Sequence, residues 1–559
     1  MGQRPGRRAG DAVVAAMGLG GVDYMFFNSG SEIMFMQEAI AKANALGRPA
    51  PKLVMMTHEY PTLNAGLGYA AATGRMAATA VHVDVGTQHY GCAVHTARHS
   101  GLPVLITAGA PPVSYPGSMR GARDGSHFWV QQTADQAGIV RQYMKWDHRL
   151  EFQDNPGMVV SRAIQVARSE PRGPVYLVLP REIAFLPSDG ERFPTAQQLG
   201  ITRPPAPDPD AIRDLADRLV KARNPAIVVQ RSGRKAATVP ALVRLAEILG
   251  APIGEAAARS YQCFPMDHPL YQSIHLDLAK ADVVVVIECD VPWIPGPQQP
   301  GRDAFVAVVD IDPVKAHIGT YEFGADLRIM ADTEITLLEL LRAVEQLADT
   351  SDRTRFADRT ARWAEVSRER YVRSVKAAEA EANQSPISPL WLSHQIGQAM
   401  DDNCLMVDET LMLSPLPPYL RFSEPGTYFR NPGSGGGWCA GAALGARRQD
   451  RPAEQGCDRG QRRRLLHVFG GQRGNHLGGA LQGAVHVGDL SESQLQHRHQ
   501  GDRPVLSRRL CGPGWARGRL LRSADGLCEG SRGRRCLRRK RQRSGRGRPG
   551  PQAWAAADP

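Results

Sequence analysis

In the run Val283-Val-Val-Val-Ile287 every residue is apolar and β-branched. A strand with one wet face alternates apolar and polar side chains, so an unbroken apolar run has to be covered on both faces, as parallel strands are by their crossover helices. Short apolar runs at Tyr24–Phe27, Lys52–Met56, Thr79–Val83, Val104–Ala108 and Val175–Leu179 alternate with helical patterns and predict a doubly wound α/β domain over residues 1–190. The Pro-rich segment Arg203-Pro-Pro-Ala-Pro-Asp-Pro209 reads as a linker. Beyond it Ala226–Val229, Val283–Ile287 and Phe305–Asp310 predict a second α/β domain over 205–345. A charged helical stretch, Asp352 to Asn383, leads into a third over 385–446, which starts with the strand Cys404–Val407 and carries the loop Gly433-Ser-Gly-Gly-Gly437. A chain of 559 residues suits three parallel-sheet domains of ordinary size, and no short-period repeat is visible.

The pattern stops at Ala446. Residues 447–559 contain no Ile, Met, Thr or Tyr, a composition poor in the β-branched residues a parallel sheet requires. They hold 24 Arg and 1 Lys against 9 acidic residues, a charge of +16. Since the whole chain carries +12, the first 446 residues carry −4, and the basicity belongs wholly to this segment. Taken at face value it is a disordered Arg-rich tail that leaves the third domain incomplete. A basic nucleic-acid-binding role would rest on this tail alone, yet it has neither a periodic motif nor more aromatic platforms than Phe469, Trp515 and Trp554, so no nucleic-acid partner is expected.

Nine cysteines lie scattered with no C-x-x-C pair or metal-ligand spacing, which predicts reduced structural thiols, without disulfides or zinc. No apolar run reaches the roughly 18 residues a membrane span needs, so no membrane partner is expected. The stretch Ala12–Val22 follows Arg4, Arg7 and Arg8 as in a secretory signal, but no small-residue cleavage site follows, and a cytoplasmic location is expected.

The segment His58-Glu-Tyr-Pro-Thr-Leu-Asn-Ala-Gly-Leu-Gly-Tyr-Ala-Ala-Ala-Thr-Gly74 places a Glu at the start of a helix that follows a strand. It resembles the H-E-x-x-A-x-x-x-A-x-G-Y-A-x-x-T-G element of thiamine-diphosphate-dependent enzymes of the acetohydroxyacid (acetolactate) synthase and benzoylformate decarboxylase type. By that resemblance Glu59 is the catalytic, cofactor-binding carboxyl that hydrogen-bonds the aminopyrimidine ring, work that requires a proton-sharing group in an apolar pocket. Without the surrounding block, Glu59 would be an ordinary first-turn Glu favoured by the helix dipole.

Further blocks follow in family order. Phe27-Asn-Ser-Gly-Ser31 resembles the F-x-N-P-G-S loop of benzoylformate decarboxylase, with Ser29 in place of Pro, and makes Asn28, Gly30 and Ser31 substrate candidates; the plainer reading is a strand-to-helix turn with Ser31 as N-cap. Val81-His-Val-Asp-Val-Gly-Thr-Gln-His89 lies where synthases carry G-P-G-A-T-N, and puts His82 on an active-site His of the decarboxylases; a lone strand His is otherwise a satisfied core residue. Val130-Gln-Gln-Thr133 and Tyr143-Met-Lys145 resemble the F-Q-E-T and I-T-K elements of synthases and nominate Gln131 and Lys145 for the substrate channel. Gly433, Ser434, Gly435 and Gly436 resemble the start of a diphosphate-binding domain, but the G-D-G motif and following Asn that hold magnesium are absent from the printed frame.

Read one base over, the tail regains those elements. The shifted frame permits S-G-D-G-C-Y-M-F-S from Gln461 to Phe469, V-I-F-Q-N-H-S-Y-N-T from Gly488 to His497, and the family's closing D-F-x-K-x-A-E-A-x-G-A helix from Arg522 to Lys540. A frame change between Ala446 and Gln461 is therefore expected, against a genuine Arg-rich tail.

The resemblance implies three domains, pyrimidine-binding, central and diphosphate-binding, with sites shared between subunits of a homodimer or homotetramer. It implies thiamine diphosphate and Mg2+ as cofactors and a small-molecule 2-oxo acid as substrate. The carbanion at the cofactor's C2 would add to the oxo acid, which loses carbon dioxide before protonation or transfer to an acceptor. An acetolactate-synthase-like carboligation is the leading expectation, a benzoylformate-type decarboxylase the alternative. FAD in the central domain stays an open alternative, because no Gly-rich dinucleotide loop stands out there.

Overall fold

The computed structural model describes residues 7–188, 193–256, 261–296, 298–402, 404–410 and 415–430, together with the backbone of two strands at 464–469 and 485–489. The first six strands are β1 (Tyr24–Phe27), β2 (Lys52–Met55), β3 (Ala77–Val81), β4 (Val104–Ala110), β5 (Trp146–Arg149) and β6 (Val175–Pro180). They form one parallel sheet in the order β2-β1-β3-β4-β6-β5. The helices of this part are α1 (Ala9–Leu19), α2 (Phe35–Ala45), α3 (Glu59–Thr73), α4 (Asp84–His89), α5 (Ala93–Ser100), α6 (His127–Val130) and α7 (Pro156–Arg168). The inner strands β1, β3, β4 and β6 are buried at every residue, as the unbroken apolar runs require. β3 starts and ends two residues before the predicted Thr79–Val83, which leaves His82 just past its carboxyl end.

The second sheet is also parallel, in the order β12-β11-β10-β7-β8-β9. It comprises β7 (Pro225–Val229), β8 (Ile253–Glu255), β9 (Tyr271–Ser273), β10 (Val283–Ile287), β11 (Phe305–Asp310) and β12 (Leu327–Met330), with α8 (Pro209–Lys221), α9 (Thr238–Leu249) and α10 (Thr333–Leu347). Val284, Val285, Val286 and Ile287 are almost wholly buried, each worth about 1.5–3 kcal/mol against exposure. β5 and β12 escape the apolar pattern because they are edge strands: Trp146-Asp-His-Arg149 is half-buried throughout and Leu327-Arg-Ile-Met330 has one buried residue.

α11 (Thr350–Ala380) is the predicted charged helix, started by a capping box in which Asp349 and Asp352 exchange bonds. Its buried Arg359 donates to the carbonyls that end α8 and α9, from Nη1 to Ala222 (2.6 Å) and from Nε to Leu249 (3.0 Å). α12 (Pro389–Ala399) then leads to a third sheet, ordered β14-β13-β15-β16, of β13 (Cys404–Glu409), β14 (Tyr428–Arg430), β15 (Arg464–Phe469) and β16 (Val485–Asp489). Here the expectation of a sheet-free tail is corrected. β15 pairs parallel with β13 and β16 antiparallel with β15. The remainder of the tail, including the shifted-frame helix at 522–540, lies outside the described residues.

Cys92, Cys263, Cys289 and Cys404 are free thiols, and burial pushes Cys263 up to about 12, which suits an inert structural role. Among the described residues no helix is long and apolar enough to cross a membrane.

A candidate active site at the switch point of the first sheet

From β1 the chain steps outward to β2 and then returns to the other side of β1 as β3, so the crevice beyond the carboxyl ends of β1 and β3 is the topological switch point where open α/β sheets take ligands. Asn28 follows β1, and its amide bonds the Ala80 carbonyl of β3 at 2.9 Å, which holds the two strand ends together. His82 follows β3. Its Nδ1 lies 2.6 Å from Oε2 of Glu32, whose side chain has no exposure.

Gly30 is required here by close approach: a Cβ would stand 2.5 Å from His82 Nδ1. The contact with Glu32 raises the His82 pKa over the opposing effect of burial. Burial is the largest influence on Glu32 and would raise it, but the imidazole at 2.6 Å together with backbone and Ser31 hydrogen bonds takes the carboxyl below its usual value. On its far side His82 Nε2 is 3.4 Å from Gln131 Nε2, directly after α6. Gln131 Oε1 is out of solvent and has no hydrogen-bond partner among the described residues, so the crevice presents an unanswered acceptor.

Glu59 is the first residue of α3 and is buried. The helix starts there because the His58 imidazole accepts the Tyr60 amide as an N-cap at 3.1 Å, and it ends at Gly74 with φ 67°. Oε2 of Glu59 is 3.3 Å from His89 Nδ1, at the end of α4. Gly86 lets α4 pack closely on the end of β3, since a Cβ there would lie 3.2 Å from Val81 Cβ. α4 is pinned from below by buried hydroxyls, Thr87 Oγ1 to Tyr176 (2.7 Å) and the flanking Tyr90 to Thr79 Oγ1 (2.8 Å). Potential ligand atoms of His58, Glu59 and His89 all lie within 4.8 Å of one another, although the cap already uses His58 Nδ1.

Of the residues nominated from sequence, Asn28, Gly30, His82 and Gln131 gather at this crevice. Ser31 is exposed in the turn leading to α2 and does not cap it: Met34 stands at the N-cap position and makes no side-chain cap bond. Lys145 is not brought to the crevice. It precedes β5, at the amino edge of the sheet, and its ammonium is taken up by the carbonyls of Val166 (2.7 Å) and Ser169 (2.6 Å) at the end of α7. Gly433, Ser434, Gly435 and Gly436 lie outside the described residues. Sequence reasoning missed Glu32, His89 and Gly86; the only signal for Glu32 was a charge in the turn between Ser31 and the apolar Ile33-Met-Phe35.

The equivalent switch point of the second sheet, between β7 and β10, is filled by the chain's own charges. Lys315, with no side-chain exposure, pairs with Asp310 (2.6 Å) and Asp290 (3.0 Å), and Asp290 also pairs with Arg231 (3.0 Å). Arg234 Nε holds Glu288 at 2.6 Å, and a Cβ on Gly233 would stand 2.0 Å from the Gln262 carbonyl oxygen. These ion pairs occupy the crevice with the chain's own charges, and no step is assigned to FAD.

Two parallel sheets with a carboxylate and imidazole crevice at the first switch point define an α/β cofactor-enzyme architecture. Residues 7–139 match the thiamine pyrophosphate enzyme N-terminal TPP-binding domain, and residues 212–340 match the central domain of the same family. Residues 7–139 and 212–340 are thus the N-terminal and central domains of a thiamine pyrophosphate enzyme. Its relatives include benzoylformate decarboxylase of Pseudomonas aeruginosa, 28% identical over 40% of this chain and 40% of that one. Another is acetolactate synthase isozyme 1 large subunit of Escherichia coli, 23% identical over 68% of this chain and 63% of that one. The matches thus span less than two thirds of either relative. The fold is shared with benzoylformate decarboxylase from Polynucleobacter necessarius at a TM-score of 0.62, with 18% identity over 83% of this chain and 81% of that one.

Proposed function

We propose that the chain is a thiamine-diphosphate-dependent enzyme that decarboxylates a 2-oxo acid, with His82 as the group that moves a proton at the substrate. The observation that carries this reading is the buried Glu32 carboxylate 2.6 Å from His82 Nδ1, which raises the proton affinity of the ring while Nε2 faces the crevice. Thiamine diphosphate, when bound, supplies the electron sink for the pair left as carbon dioxide departs. Glu59 would hold the aminopyrimidine ring by a hydrogen bond from its buried position at the start of α3. Asn28 and Gln131 would orient the substrate, and the buried acceptor of Gln131 supports a ligand there. No Mg2+ step is assigned to the described residues.

Carboligation of the acetolactate-synthase type is the second reading, favoured by the longer match to the Escherichia coli synthase subunit. The two separate on product. Because residues 447–559 as written lack the G-D-G motif and the Asn that hold magnesium, turnover is assayed in the chain with its frame restored beyond Ala446, supplied with thiamine diphosphate and Mg2+ and given benzoylformate or pyruvate, by carbon dioxide and free aldehyde. Free aldehyde, lost in His82→Gln, is the expected result; acetolactate without aldehyde would sustain the synthase reading instead, and no turnover of either acid would sink both. A homodimer or homotetramer is proposed on the family likeness and is checked by light scattering.

A further inference from the structure

The chain between β4 and α6, residues 111–126, runs for sixteen residues without helix or strand. A connection of that length inside a compact domain is usually held for a purpose. It leads directly into α6 and Gln131, so its placement determines what faces His82. The structure holds it from one neighbouring segment, Arg181–Phe185, a short 3-10 turn that follows β6.

Glu182 is fully buried, and its Oε1 accepts the amides of Val113 (2.6 Å) and Ser114 (3.1 Å) at the start of the loop. Arg181 grips the other end: Nη1 and Nη2 donate to the two oxygens of Asp124 at 2.8 and 3.1 Å, and the guanidinium lies 4.9 Å from the Phe128 ring of α6. Planar two-point pairing of this kind fixes direction as well as distance. Gly121, at φ 86°, allows the loop to pass against Phe185, where a Cβ would come within 2.6 Å of its ring.

We infer that Arg181 and Glu182 are positioning residues: together they latch both ends of the 111–126 loop and thereby set Gln131 against His82. The inference rests on the reading of the His82 crevice as the substrate site, but its test does not need turnover. In the full chain, Glu182→Gln weakens the buried acceptor and Asp124→Ala removes the surface half of the Arg181 pair, which leaves the core untouched should the first variant fold poorly. Hydrogen exchange and the His82 titration by NMR are the readouts. Exchange across 111–131 rises at least tenfold in both variants while β4 and β6 keep their protection, the His82 midpoint shifts, and Asp124→Glu restores both. Unchanged loop exchange in Asp124→Ala and in any folded Glu182→Gln overturns the latch. Faster exchange with an unmoved His82 midpoint overturns its link to the site. An enzyme that turns over no 2-oxo acid would defeat the functional reading while leaving these two readouts intact.

Discussion

His82 and Glu32 meet 2.6 Å apart in the crevice beyond β1 and β3, the imidazole one-fifth exposed and the carboxylate not at all. The pair makes pH a direct probe of the site. A raised folded pKa for His82 contributes stability fully below its ordinary value of 6.5, lost as pH rises through the folded value. A depressed folded pKa for Glu32 contributes above its ordinary value of 4.5, lost as pH falls through the folded value. Parent and Glu32→Gln should therefore differ most in unfolding free energy between about pH 4.5 and 6.5, with the gap closing at alkaline pH. Urea melts across pH 4 to 9 measure it, and a gap independent of pH would refute the pairing.

Gly30→Ala puts a methyl group where the His82 ring lies, at 2.5 Å from Nδ1. The ring has to swing from Glu32, so the His82 pKa falls back towards its ordinary value and the fold loses about 1–3 kcal/mol. NMR titration of the imidazole together with a denaturant melt reads both; an unmoved midpoint would show that the ring has another place to sit.

Glu59→Gln keeps the shape of the first turn of α3 and the His58 cap, since the cap bonds Tyr60 rather than Glu59. The expected result is a kcat lowered by roughly 10²–10⁴-fold with the thermal midpoint close to that of the parent. Full activity in this variant would remove Glu59 from the proposed chemistry.

Lys145→Met separates the sequence reading from the tertiary placement. The ammonium bonds two carbonyls at the end of α7, so its loss should cost about 1 kcal/mol in stability and leave KM for the oxo acid within twofold. A large KM increase at unchanged stability would return Lys145 to the substrate.

Arg359 reaches from α11 to the carboxyl ends of α8 and α9, and burial pulls its pKa down to about 10. Arg359→Ala leaves those carbonyls without their donors and should destabilise the chain by about 1–3 kcal/mol. Arg359→Lys should recover little, because a single ammonium cannot reproduce a fork that spans two helix ends. Equal stability of Arg359→Lys and the parent, in guanidinium melts, would contradict this.

The inner strands were readable because residues such as Val283–Ile287 carry burial on both faces in their composition, and the start of α3 was readable because His58, Glu59 and Gly74 are local signals for a helix's two ends. β5 and β12 were not, since an edge strand faces solvent and its sequence, as in Trp146-Asp-His-Arg149, has no apolar pattern to show. β15, which pairs with β13, was missed because the Arg-rich composition of 447–559 masks an apolar run as short as Leu465-Leu466.

What the sequence determined by itself was the parallel α/β class, because two-sided burial and helix-end chemistry act within a few residues, while its motifs carried the resemblance to thiamine-diphosphate enzymes and nominated Glu59, Gly30 and His82. Only the tertiary structure decided that Glu32 meets His82, that Lys145 serves α7 at the far edge of the sheet, and that the second switch point holds the ion pairs of Lys315, Asp290 and Arg231. Those outcomes depend on which strand ends come side by side, and strand order is set by the packing of whole helices on a sheet rather than by any local stretch of residues.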